Sequence, residues 1–309
     1  MRLAVLGAGG VGGYYGGLLA KHGHAVYLLA RGANLEAIRA RGLEVRTPEG
    51  SFIAPVTAAA TADEIGAVDL VLLAVKSYSL QEVAPAARRL AAEEAAILPL
   101  MNGVGINERL TEAGVPAASL MGGLTFISAA RTAPGVVERL SPFERVVVGE
   151  FDHTLSARAR TAVQVFQDAG VDARLSERIE VELWQKLIFI SAMAAVCGLS
   201  RTPIGPVRAA PLGPALIERA VREAAQVARA SGVPLPQNEE QRVLGLIHEL
   251  PPAMKPSFML DLLRGGPTEA DVLSGAVARL GAKLGVATPI NDAVMAVAVA
   301  GEWDRFYTV

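Results

Sequence analysis

Gly7-Ala8-Gly9-Gly10-Val11-Gly12, here called the glycine loop, is the stretch that decides the fold of the N-terminal half. An apolar run at residues 3–6 precedes it, and a helical pattern at residues 11–22 follows it. A GxGxxG loop between a strand and a helix is the fingerprint of a dinucleotide-binding site. Gly7 would allow the tight turn, Gly9 the approach of a pyrophosphate and Gly12 close helix–strand packing, while the helix N-terminus would attract the phosphates. The alternative, a glycine-rich turn without a ligand, fits this context less well.

Further apolar runs follow the glycine loop at residues 25–30, 69–75 and 95–100, and helical patterns separate them. Near-continuous apolar strands of this kind are typical of a parallel sheet that is covered on both faces. More strands are expected at residues 119–127, 135–140 and 145–149, and a helix at residues 154–169. The predicted fold class is therefore α/β, beginning with a Rossmann-type, doubly wound sheet.

The second half is rich in Ala, Leu and Glu, and its apolar residues recur with helical spacing. Clusters of Pro and Gly separate the candidate helices. These are expected at residues 177–198, 212–231, 239–250, 269–284 and 288–300. We therefore predict a Rossmann-type domain over residues 1–175 and an all-helical domain over residues 176–309.

Composition excludes several classes of function. The 309 residues are 51% hydrophobic and 19% charged, which argues against disorder. A net charge of −2 and the absence of a basic run argue against nucleic-acid binding. One cysteine cannot form a disulfide within the chain, and the four histidines lack metal-binding spacing, so no metal site is expected. The longest apolar run, residues 187–199, is shorter than the roughly 20 residues that span a bilayer, so we expect a cytoplasmic protein without a membrane partner.

Arg31 follows the second apolar run, where NAD-specific sites usually carry an acid that binds the ribose 2′-hydroxyl. The nearest acid further along the chain is Glu36. Since an arginine can pair with a 2′-phosphate, the sequence predicts NADP(H) as the cofactor. The alternative is a solvated loop arginine, and equal use of NADH and NADPH would remove the argument.

Lys76 and Asn102 follow the third and fourth apolar runs. The carboxyl ends of parallel strands are where ligands of open α/β sheets bind, so both residues are candidates. Lys76 could also be a solvated lysine, and Asn102-Gly103 is a common turn pair. The edge that they share with the glycine loop favours the functional interpretation.

Lys186 lies among Trp184, Leu187, Ile188 and Phe189. An apolar environment disfavours its charged form and lowers its pKa, which suits a group that donates a proton to a carbonyl oxygen. The alternative is a lysine whose stem covers apolar surface while its charge stays in water.

Glu269 follows Thr268, which the sequence predicts as a helix N-cap with Asp271 at the third helical position, a capping box. Glu269 would then be the first helical residue, and its structural role would be to complement the helix dipole. Ser257 is a lone polar residue near an apolar run, with a loop serine as the alternative.

The chain resembles the ketopantoate reductases (2-dehydropantoate 2-reductases) over nearly its full length. The residues that carry the resemblance are the glycine loop, Arg31, Val75-Lys76, Asn102-Gly103, Trp184-Gln185-Lys186-Leu187, Ser257 and Thr268-Glu269-Ala270-Asp271. The resemblance implies reduction of ketopantoate to pantoate by NADPH, on the route to pantothenate and coenzyme A. It implies that Lys186 is the proton donor and also binds substrate, and that Glu269 helps to position the reacting groups. It further implies roles for Asn102 and Ser257 at substrate or cofactor, Arg31 at the 2′-phosphate, Lys76 on the cofactor side and the Ala130 backbone at the cofactor.

The sequence departs from the family at two positions on the helical face of Lys186. Ile190 and Ala194 stand where well-studied members carry asparagines that hold the substrate. The loss of these polar partners should change the discrimination among substrates. Gly265-Gly266-Pro267 also replaces the Gly-Arg pair that often precedes the Thr-Glu motif. A less polar 2-oxo acid therefore remains open as the substrate.

Two other functions, and a homodimer, are also compatible with the sequence. A β-hydroxyacid or polyol-phosphate dehydrogenase would combine the same domains, but residues 150–280 contain only Lys186 and Lys255 as lysines to bind a sugar phosphate. A non-catalytic NADP(H)-binding sensor would bind the cofactor without turnover. The helices of the second domain have apolar faces that could form a homodimer.

Overall fold

The computed structural model describes residues 1–92 and 95–301, and its strands lie almost entirely in the first half of the chain. The strands are β1 (Arg2–Leu6), β2 (Ala25–Leu29), β3 (Leu43–Thr47), β4 (Gly50–Ala54), β5 (Thr57–Ala59), β6 (Leu70–Leu73), β7 (Ala96–Pro99), β8 (Gly122–Phe126), β9 (Ala129–Ala133), β10 (Val136–Arg139), β11 (Arg145–Gly149) and β12 (Asp172–Ser176). The helices of the same half are α1 (Gly10–Lys21), α2 (Gly32–Arg41), α3 (Ala62–Ile65), α4 (Leu80–Ala91), α5 (Ile106–Glu112) and α6 (Ala157–Asp168).

Five of these strands form a parallel sheet in the order β5-β2-β1-β6-β7. β1 is central, with Leu3 opposite both Val26 of β2 and Leu70 of β6. Leu3, Ala4, Val5 and Leu6 are all fully buried, which explains why this strand is a continuous apolar run without alternation. The parallel sheet and its helices confirm the predicted Rossmann-type architecture.

Helix α1 packs closely on strands of two different sheets, and glycines make both contacts possible. A Cβ at Gly16 would lie 2.9 Å from Leu28 of the parallel sheet. A Cβ at Gly13 would lie 2.7 Å from Val137, and one at Gly17 would lie 2.5 Å from Val45, both in a second sheet of order β4-β3-β10-β9. Helix α1 is therefore too closely packed on either side to carry larger residues at these positions.

A three-stranded sheet, in the order β12-β11-β8, completes the strand structure. The predicted strand at residues 145–149 coincides with β11, and those at 119–127 and 135–140 contain β8 and β10. β3, β4, β5, β9 and β12 were not predicted from the sequence. β4, β5 and β9 are short or exposed and show no clear alternation, as in Thr57-Ala58-Ala59. β3 and β12 do alternate apolar and polar residues, but over only five positions each, which is a weak signal.

The second half is helical, as predicted. Its helices are α7 (Ile179–Ser200), α8 (Ile204–Ala209), α9 (Gly213–Ala230), α10 (Glu239–Glu249), α11 (Ser257–Arg264), α12 (Ser274–Leu284) and α13 (Pro289–Gly301). Helix α9 packs against α8, α10, α12 and α13. Buried residues of α7, among them Leu187 and Ile188, belong to the same apolar core as Val221 and Ala224 of α9.

Helix α7 is the most apolar long helix in the described residues. An 18-residue window of its 22 residues has a mean hydropathy of 1.5, so it is long and apolar enough to cross a membrane by length and composition alone. The helix is longer than the apolar run seen in the sequence. Because 67% of its apolar window is buried inside the protein, α7 has the burial of a core helix.

The chain divides into two units, and the division differs from the predicted one. The first unit contains Met1–Met101 and Ile106–Ile179. The second contains Asn102–Gly105 together with the described residues from Glu180 onward. The sequence placed the whole of residues 1–175 in one domain. The physical reason for the difference is Gly103, which has a φ of +95° and lies so close to Val272 that a Cβ would be 2.5 Å from the carbonyl oxygen of Val272.

Candidate active site

The glycine loop joins β1 to α1 in the first unit. Gly7 has a φ of +112°, and a Cβ there would lie 2.8 Å from the carbonyl oxygen of Ala74. A Cβ at Gly12 would lie 2.2 Å from the carbonyl oxygen of Gly7 and 2.9 Å from Val5. Gly9 differs, because a Cβ there would have no described heavy atom within 4 Å. The fold itself thus requires Gly7 and Gly12, whereas Gly9 borders open space.

This geometry fits the phosphates of a dinucleotide. Gly9 is the N-cap of α1 and brings no side chain to the helix N-terminus, and the first turn of α1 contains no acidic residue. The N–H groups of such a terminus have no partner within the helix and carry a partial positive charge. Open space beside Gly9 and a bare helix N-terminus are the two features that an approaching pyrophosphate needs.

Asn34 holds the glycine loop in place, and the sequence analysis missed it. Its side-chain amide donates to the carbonyl oxygen of Ala8 at 3.1 Å, and its Oδ1 accepts from the N–H of Gly135 at 2.8 Å. Asn34 is buried within α2. Because it joins the loop to the turn that follows β9, it fixes two segments that meet at the start of α1. Its position three residues after Arg31 was the only sequence signal.

Arg31 lies at the N-cap of α2, directly after β2 and the buried Ala30. Its side chain forms an ion pair with Glu82, in the first turn of α4. Both side chains are more than half exposed, at 76% and 53%. The sequence has no acid next to Arg31 before Glu36, but the fold brings Glu82 to it from a different element.

Lys76 follows a strand of the parallel sheet, whereas Ala130 lies in a strand of the four-stranded sheet. Lys76 is half-buried at the N-cap of a short 3₁₀ turn, Ser77–Ser79, after β6. Ala130 lies in β9, and a Cβ at Gly10 would lie 2.7 Å from its backbone nitrogen. The backbone of β9 therefore runs directly beside the glycine loop, and Ala130 is the candidate backbone contact there.

Lys186 lies in the second unit, in α7, and only 7% of it is exposed. Burial lowers the pKa of Lys186 to about 8, and the nearby negative charge of Glu269 opposes this shift. The sequence predicted both the apolar surroundings and the direction of the shift. A lysine with this pKa holds its proton at neutral pH and can release it to a stronger base.

Glu269 is buried beside Asn102, whose side-chain amide donates to its Oε2 at 3.3 Å. Asn102 follows β7 in the sequence but belongs to the second unit, because Gly103 packs against Val272 in the segment that carries Glu269. The structure therefore brings together three predicted residues, Lys186, Glu269 and Asn102, from distant parts of the chain.

The capping box predicted for Glu269 is wrong. Helix α12 begins at Ser274, and residues 270–273 form turns. The Thr268 hydroxyl accepts from the N–H of Ala270 at 3.4 Å, and the carbonyl oxygen of Glu269 accepts from Val272 and Leu273 at 3.2 Å. The bond to the Thr268 hydroxyl is of the local kind that competes with helix formation, and the two bonds to the Glu269 carbonyl close a single turn. Leu273, with a φ of −96° and a ψ of −103°, interrupts the backbone between this turn and α12. Glu269 consequently lies on an irregular segment instead of in the first turn of a helix.

A second network that the sequence analysis missed anchors α7 next to Lys186. The side-chain amide of Gln185 donates to Oε2 of Glu239 at 2.8 Å, and Arg242 pairs with the same carboxylate at 2.5 Å. Glu239 is fully buried at the start of α10. This paired carboxylate fixes the N-terminal part of α7, the helix that carries Lys186.

The remaining predicted positions have different environments. Ile190 lies one helical turn beyond Lys186 and is partly exposed, whereas Ala194 lies two turns beyond it and is buried. Ser257 is exposed at the first residue of α11, so its contribution stays a prediction. In the described residues no group of three or more His, Cys, Asp or Glu side chains could hold a metal ion.

Two family models match the chain and together cover most of it. Residues 3–153 match the ketopantoate reductase PanE/ApbA family, and residues 178–302 match the C-terminal domain of ketopantoate reductase PanE/ApbA. Among curated relatives, the uncharacterised oxidoreductase YkpB of Bacillus subtilis is 31% identical over 96% of this chain and 97% of its own. The 2-dehydropantoate 2-reductase of Halobacterium salinarum is 31% identical over 94% of this chain and 95% of its own.

Solved structures show the same likeness. A ketopantoate reductase of the PanE/ApbA family from Ralstonia eutropha is 30% identical, with a TM-score of 0.90 over 99% of this chain and 100% of its own. The ternary structure of D-mandelate dehydrogenase with NADH and anilino(oxo)acetate is 24% identical, with a TM-score of 0.89 over 98% of both chains. At that identity, the second likeness shows the shared fold.

Proposed function

The chain belongs to the ketopantoate reductase family of oxidoreductases, and from this premise we propose that it reduces a 2-oxo acid with NADPH, ketopantoate being the first candidate. The observation that carries the proposal is the buried Lys186, which lies close enough to Glu269 to feel its negative charge and has a pKa of about 8. A group of this kind suits proton donation during carbonyl reduction.

We assign the cofactor to the first unit and the proton donor to the second. The glycine loop and the N-terminus of α1 would hold the pyrophosphate, with Arg31 at the 2′-phosphate and Lys76 and the Ala130 backbone as further contacts. The bound nicotinamide would supply the hydride that the carbonyl carbon accepts.

Lys186 would hold the carbonyl oxygen of the substrate through its Nζ. Its positive charge stabilises the negative charge that develops on this oxygen, and its proton then completes the hydroxyl group. Burial strengthens this interaction because little water competes for the charge.

Glu269 would keep Lys186 protonated, since its negative charge raises the pKa of the lysine against the effect of burial. Asn102 donates to one oxygen of Glu269 and so fixes the orientation of the carboxylate. Ser257 is a further candidate for substrate binding.

The product of this reaction with ketopantoate is pantoate, so the proposed role is in pantothenate and coenzyme A biosynthesis. The reactants of this route are small soluble molecules, which is in keeping with the cytoplasmic location expected from the sequence. We propose no nucleic-acid or membrane partner. The apolar faces of the helices in the second unit support the proposal of a homodimer.

A less polar 2-oxo acid is the second candidate substrate. Ile190 and Ala194 make the helical face of Lys186 apolar, so it offers no side-chain hydrogen bond at these two positions. The fold of D-mandelate dehydrogenase, which was solved with anilino(oxo)acetate, is closely similar. An aromatic or branched 2-oxo acid would lose no polar partner beside Ile190 and Ala194.

The test is oxidation of NADPH by the purified protein with ketopantoate, beside phenylglyoxylate, 2-oxoisovalerate and a 3-oxo acid. We expect turnover with at least one 2-oxo acid, and ketopantoate turnover would identify the pathway. Faster turnover of phenylglyoxylate would favour the second candidate. Nucleotide binding without turnover of any compound would contradict the proposal and favour a sensor.

Lys186→Met provides the decisive variant, because methionine has a similar length but no proton to donate. We expect kcat to fall by about 100-fold or more, the usual contribution of a general acid, with an unchanged Kd for NADPH. Lys255→Met, at an exposed position of the same unit, is the control and should retain activity. Near wild-type turnover by Lys186→Met would show that another group donates the proton.

A further inference from the structure

We infer that Glu82 sets how strongly this protein distinguishes NADPH from NADH, by competing with the 2′-phosphate for Arg31. The inference rests on the proposed function, since it concerns the same cofactor site. It adds a residue that neither the sequence pattern nor the similarity to other proteins points to. The observation that carries it is the ion pair between Arg31 and Glu82.

The topology of the sheet explains why these two residues meet. β2 and β6 lie on either side of β1 in the parallel sheet. Arg31 therefore follows the strand on one side of the glycine loop, and Glu82 belongs to the helix that follows the strand on the other side. Both residues reach the carboxyl edge of the sheet, where the ribose of a dinucleotide lies in sites of this type.

The charge of Glu82 affects the two cofactors in opposite ways. The 2′-phosphate of NADPH is an anion that pairs well with a guanidinium group, so it must replace the carboxylate at Arg31. The repulsion between that carboxylate and the phosphate then weakens NADPH binding. NADH carries a 2′-hydroxyl instead, which can donate a hydrogen bond to a carboxylate at this position.

Because the ion pair is exposed, Glu82 should weaken NADPH binding without preventing it. Arg31 and Glu82 are 76% and 53% exposed, and ion pairs of such exposure are weak. A doubly charged phosphate can therefore take the place of the carboxylate. Arg31 would still bind the 2′-phosphate of NADPH. The preference for NADPH over NADH would be smaller than at a site whose arginine has no acidic neighbour.

The experiment measures Kd by titration calorimetry for wild type and Glu82→Gln. The probes are NADPH, NADH, adenosine 2′,5′-bisphosphate and adenosine 5′-monophosphate, of which the last two differ only in the 2′-phosphate. For Glu82→Gln we expect Kd for NADPH and for the bisphosphate to fall about five-fold, the effect of one exposed charge–charge interaction. Kd for the monophosphate should stay constant or rise, and the preference for NADPH over NADH should increase.

Glu218→Gln is the matched control, because Glu218 forms an ion pair with Arg222 in α9 at a similar exposure of 50%. It removes the same charge from the other unit, and its Kd values should match those of wild type. Arg31→Ala should weaken binding of the bisphosphate, and the added Glu82→Gln substitution should then have a smaller effect. The double variant thus separates competition at Arg31 from a general effect of charge.

The outcomes distinguish this inference from the proposed function. If wild type binds the nucleotides and Glu82→Gln leaves the ratio of the two Kd values for NADPH and NADH unchanged, the inference is wrong while the proposed function stands. If wild type binds neither NADPH nor NADH, the proposed function fails and the inference fails with it. A preference for NADPH that rises in Glu82→Gln but not in Glu218→Gln supports the inference and the assignment of NADPH as the cofactor, while the reaction itself is tested by turnover.

Discussion

Lys186 is kept almost out of water by the fold, and its pKa of about 8 lies well below the usual 10.5. Because the lysine must be protonated to act as a general acid, its protonated fraction falls as the pH rises through the folded pKa. We predict that kcat is constant below about pH 7 and falls about ten-fold per pH unit above pH 8. The measurement is a pH–rate profile at saturating substrate and cofactor, and a kcat that rises above pH 8 would contradict the assigned role.

Glu269 provides an independent test of this assignment. Its negative charge raises the pKa of Lys186, so Glu269→Gln should lower that pKa further and move the falling limb of the profile to lower pH. Glu218→Gln, which changes a carboxylate on the exposed face of α9, should leave the limb in place. A merely structural role of Glu269 would reduce activity at every pH without moving the limb.

Asn34 is the residue for which we predict a binding defect without a catalytic one. Asn34→Ala leaves the carbonyl oxygen of Ala8 and the N–H of Gly135 without their partner, which frees the glycine loop. We expect Kd for NADPH to rise about ten-fold, while kcat at saturating cofactor changes little. Asn107→Ala is the matched control, since Asn107 donates to the carbonyl oxygen of Met121 elsewhere in the first unit. Equal changes of Kd in both variants would show a general loss of stability.

At the scale of the residue, the sequence predicted the chemical character of individual side chains better than it predicted which side chains lie beside them. The apolar neighbours of Lys186 in α7 were enough to predict the lowered pKa. Its proximity to Glu269 could be inferred only from the family resemblance, because the irregular segment around Glu269 offers no periodic pattern. Glu82 could not be predicted as a neighbour of Arg31, since four strands, β3 to β6, and the helices α2 and α3 separate them in the chain.

Helix α1 is the element in which folding and binding make different demands on glycine. Gly13→Ala would place a methyl group 2.7 Å from the rigid side chain of Val137, so we expect a loss of about 1–3 kcal/mol in the free energy of unfolding. Gly9→Ala meets no described atom within 4 Å, so its stability should change by no more than about 1 kcal/mol. The added methyl group would instead occupy the space of the pyrophosphate, and NADPH binding should be lost.

Denaturant unfolding and NADPH titration of both variants check this prediction. The two variants should show opposite defects. Gly13→Ala should be less stable than wild type but still bind NADPH, and Gly9→Ala should be as stable as wild type but not bind NADPH. Retained binding by Gly9→Ala would show that the cofactor does not approach the loop at this point. Gly245→Ala in α10 is a suitable control, because Gly245 lies outside the site, does not have a positive φ, and a Cβ there meets no described heavy atom within 4 Å.

At the scale of elements, buried parallel strands were predictable and exposed ones were not. The apolar runs at residues 25–30, 69–75 and 95–100 contain β2, β6 and β7, because strands buried on both faces cannot carry polar residues. The strand β9 is largely exposed and includes Arg131, so its sequence resembles that of a loop. Its position is set by pairing with β10, a tertiary contact that no local pattern records.

At the scale of the whole molecule, the two units have separate apolar cores. In the first, the ring of Tyr15 in α1 packs edge-on against Phe166 in α6 at 5.4 Å, and the Tyr15 hydroxyl shares a hydrogen bond of 2.6 Å with Thr125. In the second, α7 and α9 supply much of the core, with Leu187 and Val221 among its fully buried residues. Units with their own cores can unfold as separate cooperative units.

All proposed NADPH contacts except Asn102 lie in the first unit, so the cofactor should stabilise the units unequally. A ligand at about 100 times its Kd stabilises the state that binds it by about 2.7 kcal/mol, which slows amide exchange through global unfolding by about 100-fold. We therefore predict such slowing in β1, β2 and α1, and a much smaller effect in α9 and α10. Hydrogen–deuterium exchange with peptide resolution, with and without NADPH, measures both regions in one sample. Equal slowing in α9 and α10 would show that the chain unfolds as a single cooperative unit, because the second core would then open only together with the first.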